Sequence, residues 1–252
     1  MKNILTFVIC AASLHLYAQN LEGDTIKTSN GDLIIRPVQH GSFAMQWDSK
    51  IIYVDPYGGE EFYNELPVPD VIIITDIHGD HMSKTTLEIL DVSKASFIVP
   101  KAVEEQLDAK FKTNLKILNN GESVKIGEID VLAIPMYNLP EAEDSRHTKG
   151  RGNGYVLTMG GKKVYISGDT EDIPEMRALK DIDIAFVCMN QPFTMDVEQA
   201  ANAVLEFKPS IVYPYHYRGG GGLSDVNKFE SMVKEGNSKI EVRLRQWYKP
   251  QN

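Results

Sequence analysis

The sequence predicts a mixed α/β domain with two groups of strands and helices set between and after them. Three observations predict it. Residues 33–38, 42–47 and 50–54 are short β-rich runs separated by Gly41 and by Asp48-Ser49, the pattern of an antiparallel meander. Val71-Ile72-Ile73-Ile74 is unbroken apolar sequence, as in a strand covered on both faces. A second strand group follows a helical interval, at 115–118, 123–126, 130–134, 154–159 and 163–167.

The remaining elements follow in order. Residues 84–90 and 103–107 have helical character, with a strand at 97–99 between them. Strands are expected at 182–187 and 210–213. Helices are expected at 173–179 and at 197–207, the second opened by Thr194 or Asp196 as its cap. A helix at 225–234 and a strand at 240–244 close the chain. No repeat, low-complexity tract or linker interrupts this order, so residues 19–252 read as one domain.

Residues 1–18 read as a secretory signal peptide. Lys2 precedes an apolar run from 4 to 12, and Ala18-Gln19 offers a small residue at a cleavage point. The run is too short for a membrane span, so the expectation is an exported protein, periplasmic or secreted, without stable membrane insertion. Ile9 ahead of Cys10 is bulkier than a lipid-anchor signal tolerates. Cleavage leaves Cys188 as the single cysteine, and no intramolecular disulfide can form. Cys188 follows the apolar run 184–187 and reads as a core thiol.

With 252 residues, 42% hydrophobic and 24% charged, the chain can bury a core without staples. Its formal charge of −9, with no run of Lys or Arg longer than two, argues against a nucleic-acid partner.

The chemistry concentrates in Thr75-Asp76-Ile77-His78-Gly79-Asp80-His81, directly after the apolar run. Two imidazoles and two carboxylates at the end of a buried strand are costly unless something offsets their charge. A divalent cation takes these nitrogen and oxygen donors. A plainer role is also open, in which Asp80 caps the helix that follows. His147, Asp169 and His216 extend the pattern. His147 lies in a loop before the 154–159 strand, Asp169 in Ser167-Gly168-Asp169-Thr170 after a strand, and His216 in Pro214-Tyr215-His216-Tyr217 after another. Donors at several strand ends suggest one site assembled from loops on a rigid scaffold.

The order Asp76-x-His78-x-Asp80-His81, His147, Gly168-Asp169-Thr170, His216 resembles the metallo-β-lactamase-fold superfamily over nearly the whole mature chain. Residues 52–57, 147–152 and 168–176 are most similar to its branch of ascorbate-6-phosphate lactonase-like metal-dependent hydrolases. The resemblance implies a four-layer αββα sandwich and two divalent metal ions, zinc first, with Mn2+ or Fe2+ as alternatives. By position it implies a first site of Asp76, His78 and His147. The second site is Asp80, His81 and His216, and Asp169 bridges the two. One departure stands out. The family pattern has His where this chain has Asp76, an exchange that favours harder ions at the first site.

On this reading the chain hydrolyses a small ester, lactone or phosphodiester. A metal-activated hydroxide is the nucleophile, and Asp80 is the catalytic residue that orients it and carries its proton. Tyr137, Asn138 and Arg218 are candidate substrate contacts, Arg218 for an anionic group. Asp55 can orient a ligand imidazole or merely form a turn before Pro56. His40 can approach the site from the first hairpin, or it is a surface or internally satisfied histidine, the preferred reading. Gly219 to Gly222 can form a mobile rim or a plain loop. The runner-up is a non-catalytic metal- or metabolite-binding protein of the same fold, with a weakened first site. A nucleic-acid-processing hydrolase and a true β-lactamase have less support.

Overall fold

The computed structural model describes residues 21–248; the expected leader at 1–18 lies outside the described residues. The first sheet has seven strands in sequence order. They are β1 (Asp24–Lys27), β2 (Asp32–Gln39), β3 (Ser42–Trp47), β4 (Lys50–Val54), β5 (Val71–Ile73), β6 (Ser96–Val99) and β7 (Leu115–Ile117). The first four form the expected antiparallel meander, and β4 to β7 run parallel.

Further along the chain lie β8 (Ser123–Ile126), β9 (Ile129–Met136), β10 (Gly152–Met159), β11 (Lys162–Ile166), β12 (Ile184–Cys188) and β13 (Ile211–Tyr215). A small ribbon, β14 (Arg218–Gly219) and β15 (Gly222–Leu223), precedes the edge strand β16 (Glu241–Val242). The second sheet has the order β16-β13-β12-β11-β10-β9-β8. Its parallel half, β11, β12, β13 and β16, presents strand ends to the same rim as β5 does in the first sheet.

Period-two alternation separates two apolar layers. Phe43, Met45, Ile52, Val54 and Ile73 face the inter-sheet core with Val131, Ala133, Tyr155 and Leu157. Their neighbours Ala44, Ile51, Tyr53, Ile72 and Ile74 face outward. There they pack with Leu87 of α1 (Lys84–Ile89) and Val103 of α2 (Lys101–Gln106). Beyond the second sheet, Ala200, Val204 and Phe207 of α4 (Val197–Phe207) and Phe229 and Val233 of α5 (Val226–Gly236) complete the core. The result is the expected αββα sandwich.

Capping explains the helix boundaries. Asp196, not Thr194, opens α4 through a capping box with Gln199. Ser83 caps α1 by accepting from Thr86 N, so Asp80 is not a cap; its carboxylate meets His40 and His216 instead. The helix expected at 173–179 is only the single turn α3 (Pro174–Arg177), closed by a tight Leu179 N to Met176 O bond. The strand expected at 240–244 ends at Val242. Beyond it Arg245 reaches the Asp24 carboxylate at 2.9 Å.

Candidate metal centre

The candidate donors sit just after strands, except His147, which lies within the loop between β9 and β10. The turn after β5 carries Asp76, His78, Asp80 and His81, and Asp55 ends the adjacent β4. Asp55 is fully buried and its carboxylate is engaged. It accepts from Thr75 N at 2.7 Å and Thr75 Oγ1 at 2.6 Å, and its Oδ2 lies 2.8 Å from His81 Nδ1. That contact turns Nδ1 toward Asp55 and Nε2 into the site, the orientation in which a ring proton on Nδ1 would free Nε2 for a cation. Of the two roles open to Asp55, the structure has the imidazole-orienting one.

His147 is held by a reciprocal clasp: its N–H donates to Asn138 Oδ1 at 2.8 Å, and Asn138 N–H donates to His147 O at 2.9 Å. Asp169 follows Gly168, whose φ of +61° suits glycine and where a Cβ would lie 2.6 Å from Met136 Sδ. His216 N–H donates to His40 O at 3.1 Å, and its ring lies over Gly41, where a Cβ would sit 2.9 Å from Cδ2. His40, Asp55 and His216 all have positive φ, at 57°, 43° and 47°. Such conformations cost roughly 1–3 kcal/mol each and persist where packing over-determines them. Three of the chain's described non-glycine cases fall in this one place.

The donors converge. His81 Nε2 and His216 Nε2 are 3.2 Å apart. Each is 3.4 Å from an oxygen of Asp169, and His216 Nε2 is 3.5 Å from Asp80 Oδ2. Four ligands about 2.0–2.1 Å from a tetrahedral ion stand about 3.3 Å from one another, so these separations match a cation cage. His147 Nε2 lies 3.4 Å from Asp169 Oδ2 and 3.9 Å from Asp76 Oδ2, and His78 Nδ1 lies 2.6 Å from Asp76 Oδ2. His147 is fully buried, yet neither of its ring nitrogens has a hydrogen-bond partner, and Asp169 Oδ1 also lacks one. Orphaned buried donors and acceptors are expensive, and a divalent cation satisfies them. The donor set therefore fits a metal.

The electrostatics agree. Burial works to raise the Asp169 pKa, but His216 and His81 outweigh it and hold the carboxyl well below its usual range. Burial works to lower the His81 pKa, but Asp169 and Asp55 outweigh it and raise the imidazole well above its usual value.

One residue in this site was not singled out from the sequence, and another had only a weak signal. Arg151 clamps Asp76 with both arms, Nε to Oδ1 at 3.2 Å and Nη2 to Oδ2 at 2.9 Å. The only sequence signal was the histidine-to-aspartate departure itself, since an extra buried negative charge calls for a cation. His40 places Nε2 at 3.2 Å from Asp80 Oδ2 and Nδ1 at 2.9 Å from Tyr248 Oη. It approaches the site from the first hairpin, the less favoured alternative, and its ring nitrogens are satisfied there. The His-Gly pair at a hairpin turn was its faint signal.

The other candidates separate. Arg218 lines a cavity of about 260 Å3 whose wall includes Asp80, Asp169 and His216. Tyr137 is buried, and its hydroxyl is engaged by Glu175 at 2.8 Å and Lys149 at 3.3 Å. The Asn138 amide is used by His147, Glu171 and Phe193. Both residues brace the His147 loop. Cys188 is fully buried and burial pushes its thiol up to about 11, as befits a core thiol. Gly219 is pinned rather than free: a Cβ there would collide with the Gln191 carbonyl, and the run forms the β14–β15 ribbon. Among the described residues no helix is long and apolar enough to cross a membrane.

Comparison with known proteins bears on the family and the fold. The model of the β-lactamase superfamily domain matches residues 35–216. A metal-dependent hydrolase of Pyrococcus abyssi is 26% identical over 213 residues, covering 81% of this chain and 92% of the relative. A solved structure from Parabacteroides distasonis, assigned to the metal-dependent hydrolases, is 40% identical with a TM-score of 0.78. That match covers 90% of this chain and 99% of the other. Igni18, a metallo hydrolase of Ignicoccus hospitalis, shares the fold at 24% identity and a TM-score of 0.73, over 86% of this chain and 96% of its own. The narrower lactonase-like likeness rests on the sequence stretches alone.

Proposed function

We infer the reaction from the family: this chain belongs to the β-lactamase superfamily and is a metal-dependent hydrolase. Its substrate in our reading is a small ester, lactone or phosphodiester. The observation that carries this is the buried cage of His81, Asp169 and His216, with Asp80 at its open side. These four residues would hold the principal ion, zinc first, with Mn2+ or Fe2+ as alternatives. Asp76, His78 and His147 would hold a second, and Asp169 would join the two. A divalent ion there supplies a water that ionises near neutral pH and positive charge for the oxygen on which negative charge builds.

The chain's own residues do the rest. Asp55 keeps the His81 ring proton on the far side from the cage. Asp80, half-exposed on the cavity wall, takes a proton from the attacking water and delivers it to the leaving group. His40, anchored by Tyr248, holds Asp80 in that position. Arg151 already shares the Asp76 charge, so we propose that the second ion binds more weakly than the first. That same pair favours the runner-up, a binder without turnover.

The test is a zinc-loaded protein offered a panel of chromogenic lactones, carboxylic esters and phosphodiesters. Turnover of at least one, lost on chelation and restored by zinc, is expected. Zinc held tightly with no turnover of any would leave the binder. We also propose that residues 1–18 are removed on export; the mass of the mature N-terminus tests it.

A further inference from the structure

Seven arginines occur in the chain. Arg36, Arg151, Arg177, Arg243 and Arg245 each pair with a carboxylate. The other two, Arg146 and Arg218, have no carboxylate partner among the described residues, and both line the cavity over the candidate metal centre. In a chain with 35 acidic residues and 26 basic ones, exposed guanidinium groups readily find carboxylates. That the two unpaired ones share one cavity indicates a cavity built for a negative charge brought from outside.

Both are held ready. The Arg146 guanidinium carbon lies 4.4 Å from the centroid of the Phe193 ring, and that of Arg218 lies 4.2 Å from the Tyr248 ring. Stacking engages the flat face of a guanidinium and leaves its in-plane N–H groups for a planar or tetrahedral anion. A group already fixed on an aromatic platform loses less freedom when it binds. Both platforms are tied to the centre. Tyr248 Oη accepts from Arg218 N at 2.9 Å and meets His40 Nδ1 at 2.9 Å. The Phe193 carbonyl accepts from Asn138, the residue that clasps His147. Arg146 directly precedes His147, and Arg218 lies two residues after His216.

We propose that Arg146 and Arg218 form an anion clamp that selects an ester or lactone carrying a carboxylate or phosphate away from the bond to be cleaved. This rests on the hydrolase reading above and names its substrate class. The two arginines stand on the cavity wall beside Asp80, Asp169 and His216, so the clamp seats the charged tail on the wall and leaves the reacting group over the metal donors.

The test compares two esters with the same leaving group in zinc-loaded protein, 4-nitrophenyl acetate and mono-4-nitrophenyl succinate. The expected kcat/KM preference for the succinate ester is about tenfold or more. In Arg146→Ala/Arg218→Ala it falls to within about twofold, chiefly through KM, at unchanged zinc content. Arg146→Lys and Arg218→Lys should each keep part of it, and they replace the double variant if that fails to fold. Equal use of both esters by the native protein, or a preference that survives the double variant, overturns the clamp. If neither ester is cleaved, that choice of ester or the hydrolase reading fails, and calorimetric titration with succinate and with inorganic phosphate decides the clamp. Binding that weakens about tenfold in the double variant supports it, and the tighter anion identifies the charged group. Affinity that is absent, or the same in both proteins, overturns it.

Discussion

One turn after β5 feeds two neighbouring donor clusters, and they are built differently. In the cluster of His81, Asp169 and His216, every part is braced from behind. Asp55 fixes His81, Gly168 aims Asp169, and the His40–Gly41 turn packs under His216. Its separations of 3.2 to 3.5 Å are those of a cage around a cation. In the cluster of Asp76, His78 and His147, the carboxylate already has a cation of its own in Arg151. The spacing there is uneven, from 2.6 to 3.9 Å. The difference teaches that donor identity is not sufficient for a metal site. The charge left over after internal pairing decides how strongly an ion is drawn in.

The largest expected effect comes from Asp169, the carboxylate that we propose both ions share. Asp169→Ala should abolish turnover by about a thousandfold or more and release both ions. Retention of both ions with full activity would dismiss the shared-carboxylate assignment. Asp55→Ala should weaken the tighter ion by about 10- to 100-fold, because the His81 ring loses the partner that orients it. Zinc competition against a chromophoric chelator reads this directly, and the weaker ion should be much less affected. If both ions weaken equally, the two clusters are not independent.

Arg151→Gln should act in the opposite sense and sharpen the contrast. Asp76 loses its internal cation, so the second ion should bind about tenfold more tightly. The metal-free protein should lose about 1–3 kcal/mol, because a buried carboxylate is left without its charged partner. Zinc should restore most of that loss by linkage. Asp76→His, the family's own residue, should likewise tighten the second zinc; unchanged zinc affinity in both variants would remove Asp76 from the donor set.

The smallest effect lies far from both clusters and separates loss of ions from loss of fold. Burial works to raise the Asp24 pKa, but its bonds to Arg245 and Tyr213 outweigh that and hold it below the ordinary carboxylate value. Its contribution is therefore complete above the unfolded value near 4 and fades as pH falls through the lower folded one. Asp24→Asn should cost about 1 kcal/mol or less near neutral pH, read as a lowered Tm of metal-free protein. The gap from the native chain should close as the pH approaches 2.

Much of the fold could be read residue by residue because it depends on local pattern. The meander at 33–54 shows period-two alternation, and the Asp196 cap is set by a side chain within three residues. What escaped depended on contacts from afar. β1 is four residues of mostly polar edge strand, stabilised by its pairing with β2. The region after Val242 leaves the sheet for Asp24, more than two hundred residues away in sequence. The same division holds in the site. Asp76, His78, Asp80 and His81 announce themselves by density, whereas His40 and Arg151 are single residues whose partners lie 40 and 75 positions away.

The order and chemical type of the donors, and the strands that end in them, were determined by sequence alone, because alternation, apolar runs and capping act over a few residues. Which donors keep free charge was decided only in three dimensions. The Arg151–Asp76 pair, the His40–Asp80 contact and the two unpaired arginines over the cavity join residues 40 or more positions apart or depend on the absence of a partner. Coulombic pairing depends on distance in space, and no local pattern encodes that distance.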